Sequence, residues 1–212
     1  MFYKSCISFE SKGYTTKPIK RSFMSKTGLM LIIAFVSIKH SVGQDSLTNE
    51  INNFLISLEK KQQSLIHNPF PPLIINGKSF NDAELKGKVT LINFWFASCK
   101  PCLLEFNALS DISQKLSAEK KFQLITFTYE KNDAIEDLKN KFNMRFNIMT
   151  IPEVDFRSLL QGFGCPVNVI VDECGIVKFW KFGGEISEEK SDQFFRNEIY
   201  PRILKELSIV TP

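Results

Sequence analysis

The chain has few histidines, no long apolar run and no basic patch with aromatic residues, which are the features typical of zinc, membrane-spanning and nucleic-acid-binding proteins. Its 212 residues include only two histidines. A zinc centre usually takes four ligands, so histidine can supply few of them. The apolar run at residues 28–38 is well short of the roughly 20 residues that a membrane-spanning helix needs. No basic patch is interleaved with aromatic residues, so nucleic acid is not an expected partner. Internal repeats and low-complexity tracts are also absent, and one globular domain with extensions is expected.

The net charge of +4 comes from the front of the chain. Residues 1–43 hold seven of the 27 basic residues but one of the 23 acidic ones, and the remainder has a net charge of −2. In that front part Lys26 precedes the apolar run 28–38, and the small residues Ser41–Gly43 follow it. This order predicts a leader with a secretory signal peptide that starts at Met24. An uncleaved anchor through residues 28–38, or a buried helix, is the alternative.

Apolar periodicity predicts the architecture of the rest. Residues 44–68 form an amphipathic helix that prolines end, and Asn76-Gly77 signals a β-hairpin. Beyond it, buried strand patterns alternate with helical ones, and a closing strand pair precedes the last helix. Residues 69–212 are therefore expected to form an α/β domain with a mixed sheet of about five strands flanked by helices. The expected strands are Val89–Phe96, Phe122–Tyr129, Phe146–Ile151, Val167–Val171 and Ile176–Phe182.

Two cysteines stand at the junction between the first long strand and a helix. Unpaired peptide N–H groups at a helix start stabilise a thiolate, which lowers the pKa of Cys99. Lys100 adds positive charge, and Pro101 fits the first helical turn because its missing N–H is not needed there. We therefore predict thiol–disulfide exchange, in which Cys99 attacks and Cys102 resolves the mixed disulfide. A structural disulfide and half of a zinc site are the alternatives.

A set of further segments extends this motif, namely Lys86–Trp95, Cys99–Cys102, Glu105, Gly164–Pro166, Val169–Asp172 and Gly175. Together they resemble the TlpA/ResA-like branch of the thioredoxin superfamily, from about Pro69 to Leu207. The resemblance implies a thioredoxin-like fold and a redox-active Cys99–Cys102 disulfide without another cofactor. It implies a protein in the periplasm or on the outer face of the cytoplasmic membrane. Such proteins reduce disulfides in partner proteins, including apocytochromes, and receive electrons from a membrane thiol-transfer protein.

The same resemblance implies roles for residues around the cysteines. Glu105 corresponds to a buried proton acceptor, and Asn93, which stands where many thioredoxins carry an aspartate, cannot titrate. Burial would raise the pKa of Glu105 toward the working range. The other expected contacts with substrate are Trp95, Lys100, Pro101, Cys165 and the family's cis-proline, Pro166. An exposed helix acid at Glu105 and an ordinary trans proline at Pro166 are the alternatives.

Cys165 departs from the family pattern, in which a Thr, a Val or a similar small residue precedes the cis-proline. A third thiol near Cys99 could form another disulfide, help to resolve mixed disulfides or join a soft-metal site, or it could simply fill the space of a threonine. An exported copper-handling or thiol-sensing module that uses Cys99, Cys102 and Cys165 is therefore the alternative function. A peroxidase is disfavoured because Phe96 occupies its threonine position.

Overall fold

The structure is a computed structural model that describes residues 42–210. The predicted leader with the apolar run 28–38 lies outside the described residues, apart from the last two positions. The chain divides after Asn52: of the first unit only the start of helix α1 (Val42–Leu65) is described, and the second unit holds all the described β-strands. Within residues 42–210 no helix is long and apolar enough to cross a membrane. The predicted domain boundaries after residues 43 and 68 stay predictions.

The elements after α1 alternate as the sequence predicts. The strands are β1 (Ile74–Ile75), β2 (Lys78–Ser79), β3 (Val89–Phe94), β4 (Phe122–Thr128), β5 (Asn147–Thr150), β6 (Val167–Val171) and β7 (Val177–Phe182). The helices are α2 (Lys100–Leu103), α3 (Phe106–Lys115), α4 (Asn132–Phe142), α5 (Glu153–Leu159), α6 (Glu188–Phe194) and α7 (Tyr200–Val210). Two π-helical turns, Asn81–Leu85 and Phe195–Ile199, have no counterpart in the sequence prediction.

Strand β3 lies at the centre of a five-stranded mixed sheet with the order β5-β4-β3-β6-β7. Strands β4 and β5 run parallel to their neighbours, and β6 and β7 are antiparallel to theirs. The short hairpin β1–β2 forms a separate sheet, with Asn76 and Gly77 both at positive φ, as the Asn-Gly signal predicts. The predicted α/β fold with a mixed sheet is therefore confirmed.

All six residues of β3 are buried. Their side chains alternate between two hydrophobic clusters, one on each face of the sheet. Ile92 and Phe94 belong to one cluster, whereas Val89 and Leu91 belong to the other, which also contains Cys99 and Cys102. Because successive side chains of a strand point to opposite faces, Asn93 lies on the same face as Leu91. The centre of the sheet thus directs one polar side chain toward the cysteine pair.

The C-terminal helical segment changes from a π-helical turn to an α-helix just before Pro201. Helix α6 passes through the π-helical turn Phe195–Ile199 directly into α7. Pro201 is the second residue of α7. A proline is tolerated in the first turn of a helix because it has no N–H to pair.

Candidate active site

The two central cysteines lie at the start of helix α2, which follows β3 after a short loop. Cys99 is the N-cap residue of α2, with extended backbone angles, and Cys102 lies inside the helix. Their sulfurs are bonded to each other, and their Cα atoms are 5.3 Å apart. The Cys99 Sγ atom also accepts a hydrogen bond of 3.3 Å from the Cys102 backbone N–H. The first sulfur therefore occupies the position at which an N-cap side chain meets the unpaired N–H groups of a helix.

Both cysteines of the disulfide are buried. Cys99 retains 5% of its accessible surface and Cys102 only 1%. Ser98 and Lys100, on either side of Cys99, are exposed. Of the two sulfurs, Cys99 is thus the one with an open edge, and a partner thiol must approach along that edge.

Glu105, three residues after Cys102, is held in a buried hydrogen-bond network. Asn93 Nδ2 donates to Glu105 Oε2 at 2.9 Å, and Asn168 Nδ2 donates to Glu105 Oε1 and Oε2 at 3.1 and 3.2 Å. Asn93 Nδ2 also donates to Asn168 Oδ1 at 2.9 Å. Glu105 retains 1% of its accessible surface, so it is not the exposed helix acid of the alternative interpretation.

The burial of Glu105 changes its acid–base behaviour. Desolvation disfavours the carboxylate and raises the pKa of Glu105 to about 8, against the opposing hydrogen bonds from Asn168 and Asn93. The negative charge of Glu185 raises it further. The carboxyl group therefore exchanges its proton near neutral to mildly alkaline pH, the range a general base for thiols requires.

Two prolines and a glycine form the wall beside the disulfide. The Cys165–Pro166 peptide bond is cis, the geometry that the resemblance implies. The Gly183 N–H donates to the Pro166 carbonyl at 2.8 Å. A Cβ atom added at Gly184 would lie 2.8 Å from Pro166 Cγ and 2.9 Å from Pro101 Cβ. Gly184 thus allows the chain after β7 to pack against both prolines.

The substitution Gly184→Ala should lower the free energy of unfolding by about 1–3 kcal/mol, because the new methyl group overlaps two proline rings. The matched control is Gly164→Ala, where a Cβ atom meets no atom within 4 Å. Urea unfolding of both variants would check this. Equal stability of the two variants would contradict the close approach at Gly184.

Cys165 is a free, half-buried thiol that packs against both hydrophobic clusters, including the one with Cys99 and Cys102. Burial raises its pKa to about 12, and the charge of Glu105 raises it as well, whereas Arg157 lowers it. The thiol therefore stays protonated near neutral pH, and a protonated thiol is a poor nucleophile and a poor metal ligand.

Trp95 corrects one expectation of the sequence analysis. Its side chain is fully buried, its Nε1–H donates to Thr126 Oγ1 at 3.1 Å, and its ring packs edge-on against Phe106. A protein substrate has no access to this ring, so the expected substrate contact at Trp95 is wrong. Among the other expected contacts, Lys100 is exposed, Pro101 and Cys165 are half-buried, and Pro166 is buried.

The sequence analysis missed two residues of the site, Asn168 and Gly184. Asn168 interrupts the apolar strand Val167–Val171, and a polar residue in a fully buried strand is a signal that a partner is needed. Its Cα partner across β3 and β6 is Asn93. In the sequence, Gly184 only marks the end of the last strand pattern. Its contact with the prolines depends on tertiary structure, which periodicity does not reveal.

The chain is similar to several known proteins. The model of the SCO1/SenC family matches residues 58–168. Among curated proteins, the thiol-disulfide oxidoreductase ResA of Bacillus thuringiensis subsp. konkukian is 22% identical over 123 residues, which are 58% of this chain and 70% of ResA. The thioredoxin-like protein YneN of Bacillus subtilis is 24% identical over 106 residues, 49% of this chain and 62% of YneN.

Solved structures show the same fold at low identity. A Chlorobium tepidum protein provisionally named thiol:disulfide interchange protein DsbE superposes with a TM-score of 0.55 at 20% identity, covering 67% of this chain and 97% of that one. A Bacteroides thetaiotaomicron protein provisionally named protein disulfide isomerase gives 0.54 at 21% identity, covering 68% and 90%. The chain therefore belongs to the SCO1/SenC family, has a thioredoxin-like fold and is similar to the thiol–disulfide oxidoreductase ResA.

Proposed function

We propose that this protein is an exported reductase that transfers electrons from its Cys99–Cys102 dithiol to disulfides in partner proteins. The observation that carries the proposal is the pairing of these two sulfurs at the start of α2, with the buried Glu105 three residues after Cys102. Disulfide-bearing proteins are the expected substrates because the curated relative ResA is named a thiol-disulfide oxidoreductase. Export is supported by the leader that the sequence predicts at residues 1–43.

The reaction begins with the Cys99 thiolate, which attacks one sulfur of the partner's disulfide. A Cys99–partner bond forms as the partner's own S–S bond breaks, and the released partner thiolate takes up a proton. The N–H of Cys102, which already points at Cys99 Sγ, stabilises the thiolate before the attack, and the charge of Lys100 assists it.

The second step closes the disulfide. Glu105, as its carboxylate, accepts the proton of the Cys102 thiol, and the resulting thiolate attacks Cys99 Sγ. The Cys99–Cys102 bond forms, the mixed disulfide breaks, and the second partner sulfur leaves as a thiolate that is then protonated. Two electrons have passed to the partner, and a membrane thiol-transfer protein would return the pair to its dithiol form.

Insulin reduction tests the proposed activity. With dithiothreitol as the electron source, the purified protein should accelerate the reduction of insulin disulfides, followed as turbidity, above the rate with dithiothreitol alone. The control is the Cys99→Ala, Cys102→Ala double variant at the same concentration, which should give only the uncatalysed rate. Equal rates for the protein and its control would contradict the proposal.

Copper handling is the second candidate because proteins of the SCO1 family can bind copper. Within residues 42–210, however, no group of three or more His, Cys, Asp or Glu side chains is placed to hold a metal ion. The third thiol, Cys165, is kept protonated by its raised pKa of about 12. Among the described residues, the soft ligands left for a copper ion are therefore Cys99 and Cys102 in their reduced form. Tight stoichiometric Cu(I) binding by the reduced protein, without insulin reduction, would instead favour this candidate.

A further inference from the structure

The network around Glu105 links three elements of the fold through one carboxyl group. Glu105 lies between α2 and α3, Asn93 lies in β3, and Asn168 lies in β6. Asn93 and Asn168 are directly opposite each other in the antiparallel pair of strands, so their side chains lie on the same face of the sheet. All three side chains are almost completely buried, with 1% or less of their surface exposed.

Each side-chain amide nitrogen in this network donates hydrogen bonds to another member of the network. Asn93 Nδ2 donates to Glu105 and to Asn168 Oδ1, and Asn168 Nδ2 donates to both carboxyl oxygens of Glu105. Asn93 Oδ1 is the one acceptor of the network without a hydrogen-bond partner in the described part of the chain. An ionised carboxylate accepts hydrogen bonds and donates none, so this arrangement fits the ionised form of Glu105.

We propose that Asn168 is a positioning residue that, together with Asn93, holds the Glu105 carboxyl group in one orientation and stabilises its ionised form. Asn168 contacts both carboxyl oxygens, whereas Asn93 contacts one, so Asn168 makes the larger contribution. The inference rests on the proposed function because it assigns a purpose to an ionised Glu105, which is to receive the proton of Cys102.

The charged and titratable groups around this carboxyl group act in the opposite direction. Glu185, in the loop after β7, disfavours the carboxylate, and so does burial. The Cys165 thiol, just before β6, interacts electrostatically with Glu105. The strands themselves present two neutral amides, Asn93 and Asn168, and α2 presents the bonded pair of Cys99 and Cys102. The amide donors are therefore the groups in the network that favour ionisation.

The test is a pH titration of the Glu105 carboxyl carbon by ¹³C NMR in the disulfide form of the protein. Asn168→Leu removes both hydrogen bonds from Asn168 to Glu105 without adding charge, and Asn168→Asp removes them at constant size. Both should move the titration midpoint upward by about one pH unit or more. Thr126→Val is the matched control, because this buried hydroxyl in β4 bonds Trp95 rather than Glu105, and it should leave the midpoint unchanged.

An unchanged midpoint in Asn168→Leu would overturn the inference. A shift in Asn168→Asp alone would also overturn it, because added charge and not the lost donors would then be the cause. If Asn168→Leu does not fold, Asn93→Ala replaces it, with an upward shift smaller than that of Asn168→Asp expected and no shift counting against the inference.

The pH–rate profile of insulin reduction, measured on the same variants, separates this inference from the proposed function. A midpoint that moves together with the rate profile supports both. If the titration midpoint of Glu105 moves while the pH–rate profile stays fixed, Asn168 does position Glu105, but Glu105 is not the proton acceptor.

Discussion

Cys99→Ser is expected to lower the rate of insulin reduction by roughly three orders of magnitude or more, because a hydroxyl group at Cys99 cannot form the mixed disulfide. Cys102→Ser should instead form the mixed disulfide and fail to resolve it, since Cys102 supplies the second attack. The expected species is a covalent adduct of one protein and one substrate peptide, detected by mass spectrometry. It should disappear on treatment with dithiothreitol.

Cys165→Ser is the matched control for these two variants, because it removes a sulfur from the same region. The pKa of about 12 keeps the Cys165 thiol protonated near neutral pH, so turnover should stay close to that of the unaltered protein. An adduct on Cys165, or a large loss of turnover in Cys165→Ser, would show that the third thiol takes part in the exchange. Full turnover by Cys99→Ser would contradict the assignment of the nucleophile.

The stability of the protein should fall as the pH rises from about 4.5 to 8, because Glu105 binds its proton more tightly in the folded state. Folding raises the pKa of this carboxyl group from 4.5 to about 8. Between these values the folded protein holds a proton that the unfolded chain has released. The unfolding free energy therefore decreases with pH, by up to roughly 5 kcal/mol in total. This contribution is present at acidic pH and is lost as the pH passes about 8.

Glu105→Gln should remove that dependence, because a glutamine does not titrate. The misfit of a glutamine amide with the donors of Asn93 and Asn168 adds a cost, but this cost is the same at every pH. The measurement is urea unfolding of both proteins from pH 5 to 9, with the exposed Glu84→Gln as the charge-matched control. Parallel stability curves for the unaltered protein and Glu105→Gln would contradict the raised pKa of Glu105.

Much of this fold is readable from local sequence. The apolar run at Val89 predicts the central strand, and the Asn76-Gly77 pair predicts the hairpin, because both are determined by short-range preferences. The cysteine pair is likewise found from its place between a strand pattern and a helical pattern. These features depend on neighbours in the chain, which explains why one sequence is enough to predict them.

The rest of the site depends on contacts between distant parts of the chain. Asn168 meets Glu105 across 63 positions of sequence, and its register opposite Asn93 follows from the pairing of β3 with β6. Gly184 is required by its close approach to Pro101 of helix α2 and to Pro166, which lies just before β6. Trp95 is an expected substrate contact by resemblance, but its ring lies in the core, where it donates a hydrogen bond to Thr126. Such placements are fixed by packing and not by composition.

The central claim is that the sulfurs of Cys99 and Cys102 cycle between a disulfide and a dithiol in exchange with other disulfides. Equilibration of the purified protein with buffers of oxidised and reduced dithiothreitol or glutathione, followed by quenching with an alkylating reagent, measures this directly. We expect a reversible two-electron transition confined to this pair, with a midpoint of about −250 mV or lower, as suits a reductase. A pair that stays bonded throughout, or a midpoint of about −120 mV, typical of an oxidant, would contradict the account.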